Sequence, residues 1–285
     1  MEEELSGDQG TWWADGERVR ARFGSGRRVP HLCRVLGGFS LPLEAVREVE
    51  FDRGDRKRGW RLRLRLVEGT DPYAEAAAGA SDTTPLVLTG PGNGELLAEY
   101  FSDRLRSWAE LARGGGREPD PRTVRLGLVG RTPLKARTAE GTAEFDGTRV
   151  RIRWDGLLAG GAKQREKSRE YPLSEIGRLT WTPPVDVTEG HLRVLLRGVT
   201  IPDAAALDHD LFTLASHGAK GAEETLLMAA TVNAHTTDGP PAPPSAGDGG
   251  ETVFATIREL GRLHEEGLLT DEEFAAKKAE LLRRL

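Results

Sequence analysis

Arginines at every second position are the residues in this chain best placed to do chemistry. Arg18, Arg20 and Arg22 alternate with Val19, Ala21 and Phe23, and Arg61, Arg63 and Arg65 alternate with Leu62, Leu64 and Leu66. A period of two puts each guanidinium set on one face of a strand and the apolar set on the other. Arg149, Arg151 and Arg153 repeat the pattern against Val150, Ile152 and Trp154, and Arg193 and Arg197 are partial counterparts of the second set. Like charges stacked across a sheet repel. Such a ladder needs either an anionic ligand, such as a lipid headgroup or phosphopeptide, or acidic neighbours, and Glu48 and Glu50 on the adjoining strand can serve. The arginines of both strand sets and of the 149–153 set form the candidate anion-binding face. Nucleic acid is disfavoured, because no exposed aromatics interleave the arginines, and a net charge of −5 argues against wholesale polyanion binding.

Other chemistry finds little support. Gly90-Pro91-Gly92-Asn93-Gly94, between an expected strand and an expected helix, has the composition of a phosphate-cradling loop. Glu95 stands where a phosphate would sit, however, and Ser216 to Gly221 in the second half of the chain lacks the pattern, so a strand-to-helix turn is the better reading. His31, His191, His209, His217, His235 and His264 show no ligand spacing, and Asp208-His209-Asp210 reads as a solvated loop. Cys33, the single cysteine, cannot form an intramolecular disulfide, which suits a reducing compartment, and it reads as a small buried residue. No catalytic residue, metal ligand or cofactor site is expected.

The ladders are positioned by elements that occur twice. Gly10-Thr11-Trp12-Trp13-Ala14-Asp15-Gly16 and the strand after it return as Gly141-Thr142-Ala143-Glu144-Phe145-Asp146-Gly147 and the strand after it. Leu41 to Phe51 returns as Tyr171 to Trp181, and Leu62-Arg63-Leu64 as Leu192-Arg193-Val194. Three collinear matches mean a tandem duplication of a whole domain. Each copy opens with a hairpin whose Asp-Gly marks a tight two-residue turn. Further strands are expected at 41–51, 60–66 and 85–88, and at 171–181, 191–196 and 211–215. A helix closes each copy: 95–111 with Leu97, Phe101, Leu105 and Trp108 on its stripe, and 222–235 with Leu226, Leu227, Ala230 and Val232. Residues 123–129 and 133–138 read as an extra strand or a lead-in to the second copy.

The fold class is mainly β with α (α+β): two tandem partly open β-barrels, each capped by a C-terminal helix, then a linker and a short helical hairpin. The order of elements resembles bacterial PH-like domains. The expected boundaries are 8–113 and 134–235 for the repeats, 114–133 for the linker between them, 236–250 for a Gly/Pro-rich linker and 251–285 for the hairpin.

Within that hairpin, Thr270-Asp271-Glu272-Glu273 reads as a capping box. Ile257, Leu260, Leu263, Leu268, Phe274, Leu281 and Leu285 form its apolar stripe and are the candidate assembly face. Gly267 to Leu282 resembles the SHOCT (short C-terminal) domain, and tandem repeats followed by SHOCT are similar to a bacterial family of unknown function. The resemblance implies oligomerisation or partner docking and carries over no catalytic residues. The acidic start of the chain lacks a secretory or transit pattern, and no apolar run reaches the roughly 20 residues of a membrane span. The resulting expectation is a cytoplasmic adaptor, with peripheral attachment at a membrane as a variant of that address. Its PH-like repeats bind another protein or an anionic ligand. The alternatives are a peripheral membrane or polyanion sensor using the arginine faces, and an enzyme with an unrecognised site.

Overall fold

The structure is a computed structural model that describes residues 2–54, 58–78, 83–184, 189–199, 207–216 and 218–236. Residues 1–238 make one compact unit and residues 239–285 another. The expected linker beyond 236, the hairpin and its whole candidate stripe lie outside the described residues, as do His217 and His264.

The first repeat is a four-stranded antiparallel meander followed by a three-stranded one. Strands β1 (Glu3–Ser6), β2 (Gly10–Ala14), β3 (Arg18–Phe23) and β4 (Gly38–Pro42) form one sheet in that order, and β5 (Val46–Asp52), β6 (Trp60–Leu66) and β7 (Val87–Gly90) form the other. Three helices belong to this half: α1 (His31–Leu36), α2 (Pro72–Ala76) and the long α3 (Glu95–Gly114). After α4 (Pro121–Leu126), the second repeat runs through the same order. Its sheets are β8 (Leu134–Arg137), β9 (Thr142–Phe145), β10 (Arg149–Arg153) and β11 (Ser168–Pro172), then β12 (Ile176–Thr182), β13 (Gly190–Leu196) and β14 (Thr213–Ser216). Its helices are α5 (Gly161–Glu166) and α6 (Gly218–His235). The architecture is therefore α+β, with two repeated β-rich halves, and the sheets are open.

Strict alternation builds these sheets as expected. Val19, Ala21 and Phe23 are buried while Arg18, Arg20 and Arg22 are exposed, and Val150 and Ile152 are buried between the second set. The hairpin turn differs in its centre. The Asp15 amide donates to the Arg18 carbonyl (3.2 Å), which leaves Gly16 and Glu17 as the turn, with Gly16 at φ +89°. A glycine tolerates that conformation because it has no Cβ. The aspartate holds the turn closed: Asp15 Oδ1 accepts from the amides of Glu17 (3.1 Å) and Arg18 (2.9 Å), and Asp146 Oδ1 from Thr148 (2.8 Å) and Arg149 (3.0 Å).

The Thr148 hydroxyl adds a bond of 2.7 Å to Asp146, and with the two amides it lowers the Asp146 carboxyl to about 2. Because the folded-state value is depressed, this turn's contribution is complete above the ordinary aspartate range near 4 and is lost as pH falls through about 2. In an NMR titration Asp146 should therefore protonate near that pH, and Thr148→Val should move its midpoint upward. An unchanged midpoint in the variant would remove the hydroxyl from the account.

Several elements depart from the sequence expectation. Residues 121–126 are helical because Asp120 caps the amides of Arg122 and Thr123 and Pro121 occupies the first turn. Strand β1 precedes the expected start of the first repeat at residue 8. Leu97, placed on the buried stripe of α3 by spacing, is 57% exposed. Phe101 and Leu105 are buried as expected, and Ala98, Ser102 and Ala109 complete the buried face.

The two closing helices differ in environment. Helix α3 buries one side, whereas Leu226 to Val232 of α6 are buried without interruption, the condition of a helix inside a core. On one side α6 packs against β12 and β8 of its own repeat, and on the other against α1 and α2 of the first repeat and α4. The side amide of Asn233 brackets Leu179, accepting from its N–H (2.7 Å) and donating to its carbonyl (2.8 Å). Toward the first repeat, Glu223 Oε2 accepts from the Leu32 amide (2.7 Å) and Glu224 pairs with His31 (2.8 Å). Helix α1 has no side-chain cap of its own at Pro30, so the other repeat supplies an acceptor for its first turn.

Candidate functional site

The structure places the two first-repeat arginine sets on different sheets: Arg18, Arg20 and Arg22 on β3, and Arg61, Arg63 and Arg65 on β6. The register of β5 with β6 sets Glu48 opposite Arg65, Glu50 opposite Arg63 and Asp52 opposite Arg61. Each directly opposed pair is of unlike charge, which is stabilising, and Arg65 Nε donates to Glu50 at 2.8 Å. The acidic neighbours invoked from sequence thus stand where a ligand's charge would otherwise be needed.

On β3, Arg20 bonds Glu2 (2.8 Å) and Asp15 (2.7 Å), Arg18 bonds Ser40 (3.0 Å), and the Arg22 guanidinium lies 5.7 Å from the Trp13 ring centre. In the second repeat Arg149 meets Asp146 (3.2 Å) and Glu170 (3.4 Å), Arg151 pairs with Glu170, and Arg153 bonds Glu144 (2.7 Å). Arg193 is buried and paired with buried Asp210 at 2.9 Å, so it belongs to no solvent-facing ladder. Each outer sheet carries a shallow depression. One, of about 370 Å³, is lined by Lys135, Glu144, Phe145, Asp146, Arg149 and Arg151; the other, of about 340 Å³, by Glu2, Trp13, Arg20, Arg22, Phe39 and Ser40.

The remaining candidates resolve into structural roles. Gly90 and Gly94 lie against the indole of buried Trp60: a Cβ on Gly90 would fall 2.3 Å from its ring carbon. Close packing therefore requires glycine in that turn. Cys33 is buried, and burial, then the charge of Glu223, push its thiol up to about 12. Among the described residues no group of three or more His, Cys, Asp and Glu side chains could hold a metal ion.

A buried charged cluster in the second repeat has no counterpart in the sequence reading. Lys163 Nζ donates to both carboxylate oxygens of Glu140 (2.9 and 3.0 Å) and to Thr213 Oγ1 (3.1 Å), and Glu140 Oε2 accepts the Ala215 amide (2.6 Å). The first repeat meets the same strand amide with a neutral side chain, while the Asp8 carboxylate accepts the Thr89 hydroxyl (2.7 Å). Gln9, which precedes Gly10 as Glu140 precedes Gly141, accepts the Thr89 amide through Oε1 (2.8 Å) and donates to Thr89 Oγ1 (3.0 Å). Cys33 stands in α1 where Lys163 stands in α5. Position-by-position comparison of the two copies, Gln9 with Glu140 and Cys33 with Lys163, was the signal that could have found the pair.

Two β-rich copies of one domain, merged through a shared helix and followed by a short appendage, define a tandem-repeat α+β protein. A family described as a domain of unknown function, DUF4429, matches residues 12–106 and 143–233, and the short C-terminal domain, SHOCT, matches residues 255–282. The chain belongs to the DUF4429 family. No curated protein matches it. Among the described residues no helix is long and apolar enough to cross a membrane.

Proposed function

We propose that the protein is a non-enzymatic binding and assembly module. Its paired repeats form a presenting body, and its C-terminal hairpin mediates oligomerisation or docks a partner. Each repeat is read as PH-like, on the strength of a four-stranded and a three-stranded meander closed by one helix. The observation that carries the proposal is the SHOCT match at 255–282. A segment so short cannot bury a stable core by itself, yet its sequence keeps Ile257, Leu260, Leu263, Phe274 and Leu281 at helical spacing. Such a stripe needs a partner surface.

The arginine faces favour protein over anionic ligand as the target, because carboxylates within the chain already accompany most of the arginines, Arg18 and Arg22 excepted. In the full chain, Phe274→Asp and Leu281→Asp should each lower the molar mass measured by light scattering on a size-exclusion column. Equal masses for wild type and both variants across a concentration series would end this reading of the tail.

A further inference from the structure

The contact that joins the two repeats within a chain has an unused copy on each side. Helices α3 and α6 share a register: Arg106 donates to the carbonyl of Val49 (3.3 Å) and Asn233 to that of Leu179, and Val49 and Leu179 are corresponding positions on β5 and β12. By that register Leu96 and Leu97 occupy the positions of Glu223 and Glu224, the residues with which α6 grips the start of α1. Leu96 is 81% exposed, and Leu97 and Tyr100 are both more than half exposed. Their spacing places the three side by side on the helix.

The receiving surface recurs as well. Helix α5 corresponds to α1, and immediately before it Leu157 is fully exposed and Leu158 more than half exposed, where the first copy has Arg27 and Arg28. Asp208 and His209 lie against Gly161: a Cβ there would meet the Asp208 carbonyl oxygen at 3.0 Å and the His209 ring at 3.1 Å. The start of α5 is therefore flanked by residues of its own repeat, although no side chain caps its amides. Where α6 offers Glu223 and Glu224 to α1, α3 offers leucines, so its contact is apolar.

We infer that a second copy of this chain docks the Leu96–Leu97–Tyr100 face of its α3 against Leu157 and Leu158 ahead of α5, repeating the intrachain contact head to tail. The contact is heterologous, so it builds a ring or a filament rather than a two-fold dimer. The α5 side is mixed in sign, with exposed Arg165 and Lys167 beside exposed Glu166 and Asp208, so the apolar residues carry the docking. The inference rests on the reading of the protein as an assembly module but uses residues other than the tail stripe.

Cysteine cross-linking of the full chain with a short bismaleimide tests it. The native Cys33 does not compete, being buried with its thiol pushed up to about 12. Leu97→Cys chains mixed with Leu158→Cys chains should give a covalent dimer, each alone should stay monomeric on a denaturing gel, and a chain carrying both changes should give a ladder. The same set is run in the Phe274→Asp background. Product in either background supports the head-to-tail contact. No product in both, or dimer from either single-cysteine chain as abundant as from the mixture, overturns it, the latter by pointing to a symmetric contact or another occupant. If the products vanish while Phe274→Asp still lowers the mass, the tail reading survives alone.

Discussion

Lys163→Met should lower the stability of the full chain by about 3–5 kcal/mol, the usual cost of removing one member of a buried ion pair, and Glu140→Gln in the same chain should recover most of the loss. Both side chains are buried, and the Glu140 carboxylate has Lys163 and the Ala215 amide as its partners. Without the ammonium it remains a charge in a dry interior, where a single amide bond does not offset desolvation. The first repeat indicates why the double change succeeds. Its neutral Gln9 accepts the Thr89 amide, and Cys33 fills the helix position of Lys163. Urea midpoints of wild type, both single variants and the double variant decide the matter. A single-variant loss below about 1 kcal/mol, within the range of a surface pair, or a double variant no better than Lys163→Met, would contradict it.

The copy comparison also separates what was legible in the sequence from what was not. Alternation carried the strands, because a face buried against a core and a face in water leave a period of two that a single sequence displays. Arg18 to Phe23 and Trp60 to Leu66 lie in the strands that their pattern implies. Helices α1 and α5, six residues each, are too short for apolar periodicity and sit in Gly- and Arg-containing stretches that read as loop. Helices α2 and α4 did leave a signal: each starts at Asp-Pro, with the aspartate capping and the proline at the first helical position. The register that sets Asp52, Glu50 and Glu48 opposite the β6 arginines is a property of pairing, and only the nearness of acidic residues could be seen beforehand.

The buried lysine escaped because a charged residue in a basic-rich loop is ordinarily solvated. Helix α6 was recognised but its role was not. Leu226-Leu227-Met228-Ala229-Ala230 is apolar around the whole helix, a pattern that fits one flanked by protein on all sides better than one closing a single barrel.

That two-sided burial makes the largest demand on the fold, and Leu227→Asp should expose it. A carboxylate at this fully buried apolar position must be desolvated, and the expected cost exceeds about 4 kcal/mol, the range of buried charge introduced into a core. The distinctive expectation is where the damage appears. If α6 served the second repeat alone, the first repeat, with its own sheets and α3, would keep its protection. Because α6 packs on α1 and α2 and its Glu223 and Glu224 hold the start of α1, loss of the helix strips the first repeat of a wall and of an acceptor for its helix amides. Hydrogen exchange read by mass spectrometry should show β2 and β3 losing protection together with β12 and β13. Leu111→Asp, on the exposed side of α3 and outside the docking face, should leave both repeats protected as in wild type. Retained protection across β2 and β3 in Leu227→Asp would instead mean that the repeats fold as two independent bodies, and that the shared helix joins them without making them one cooperative unit.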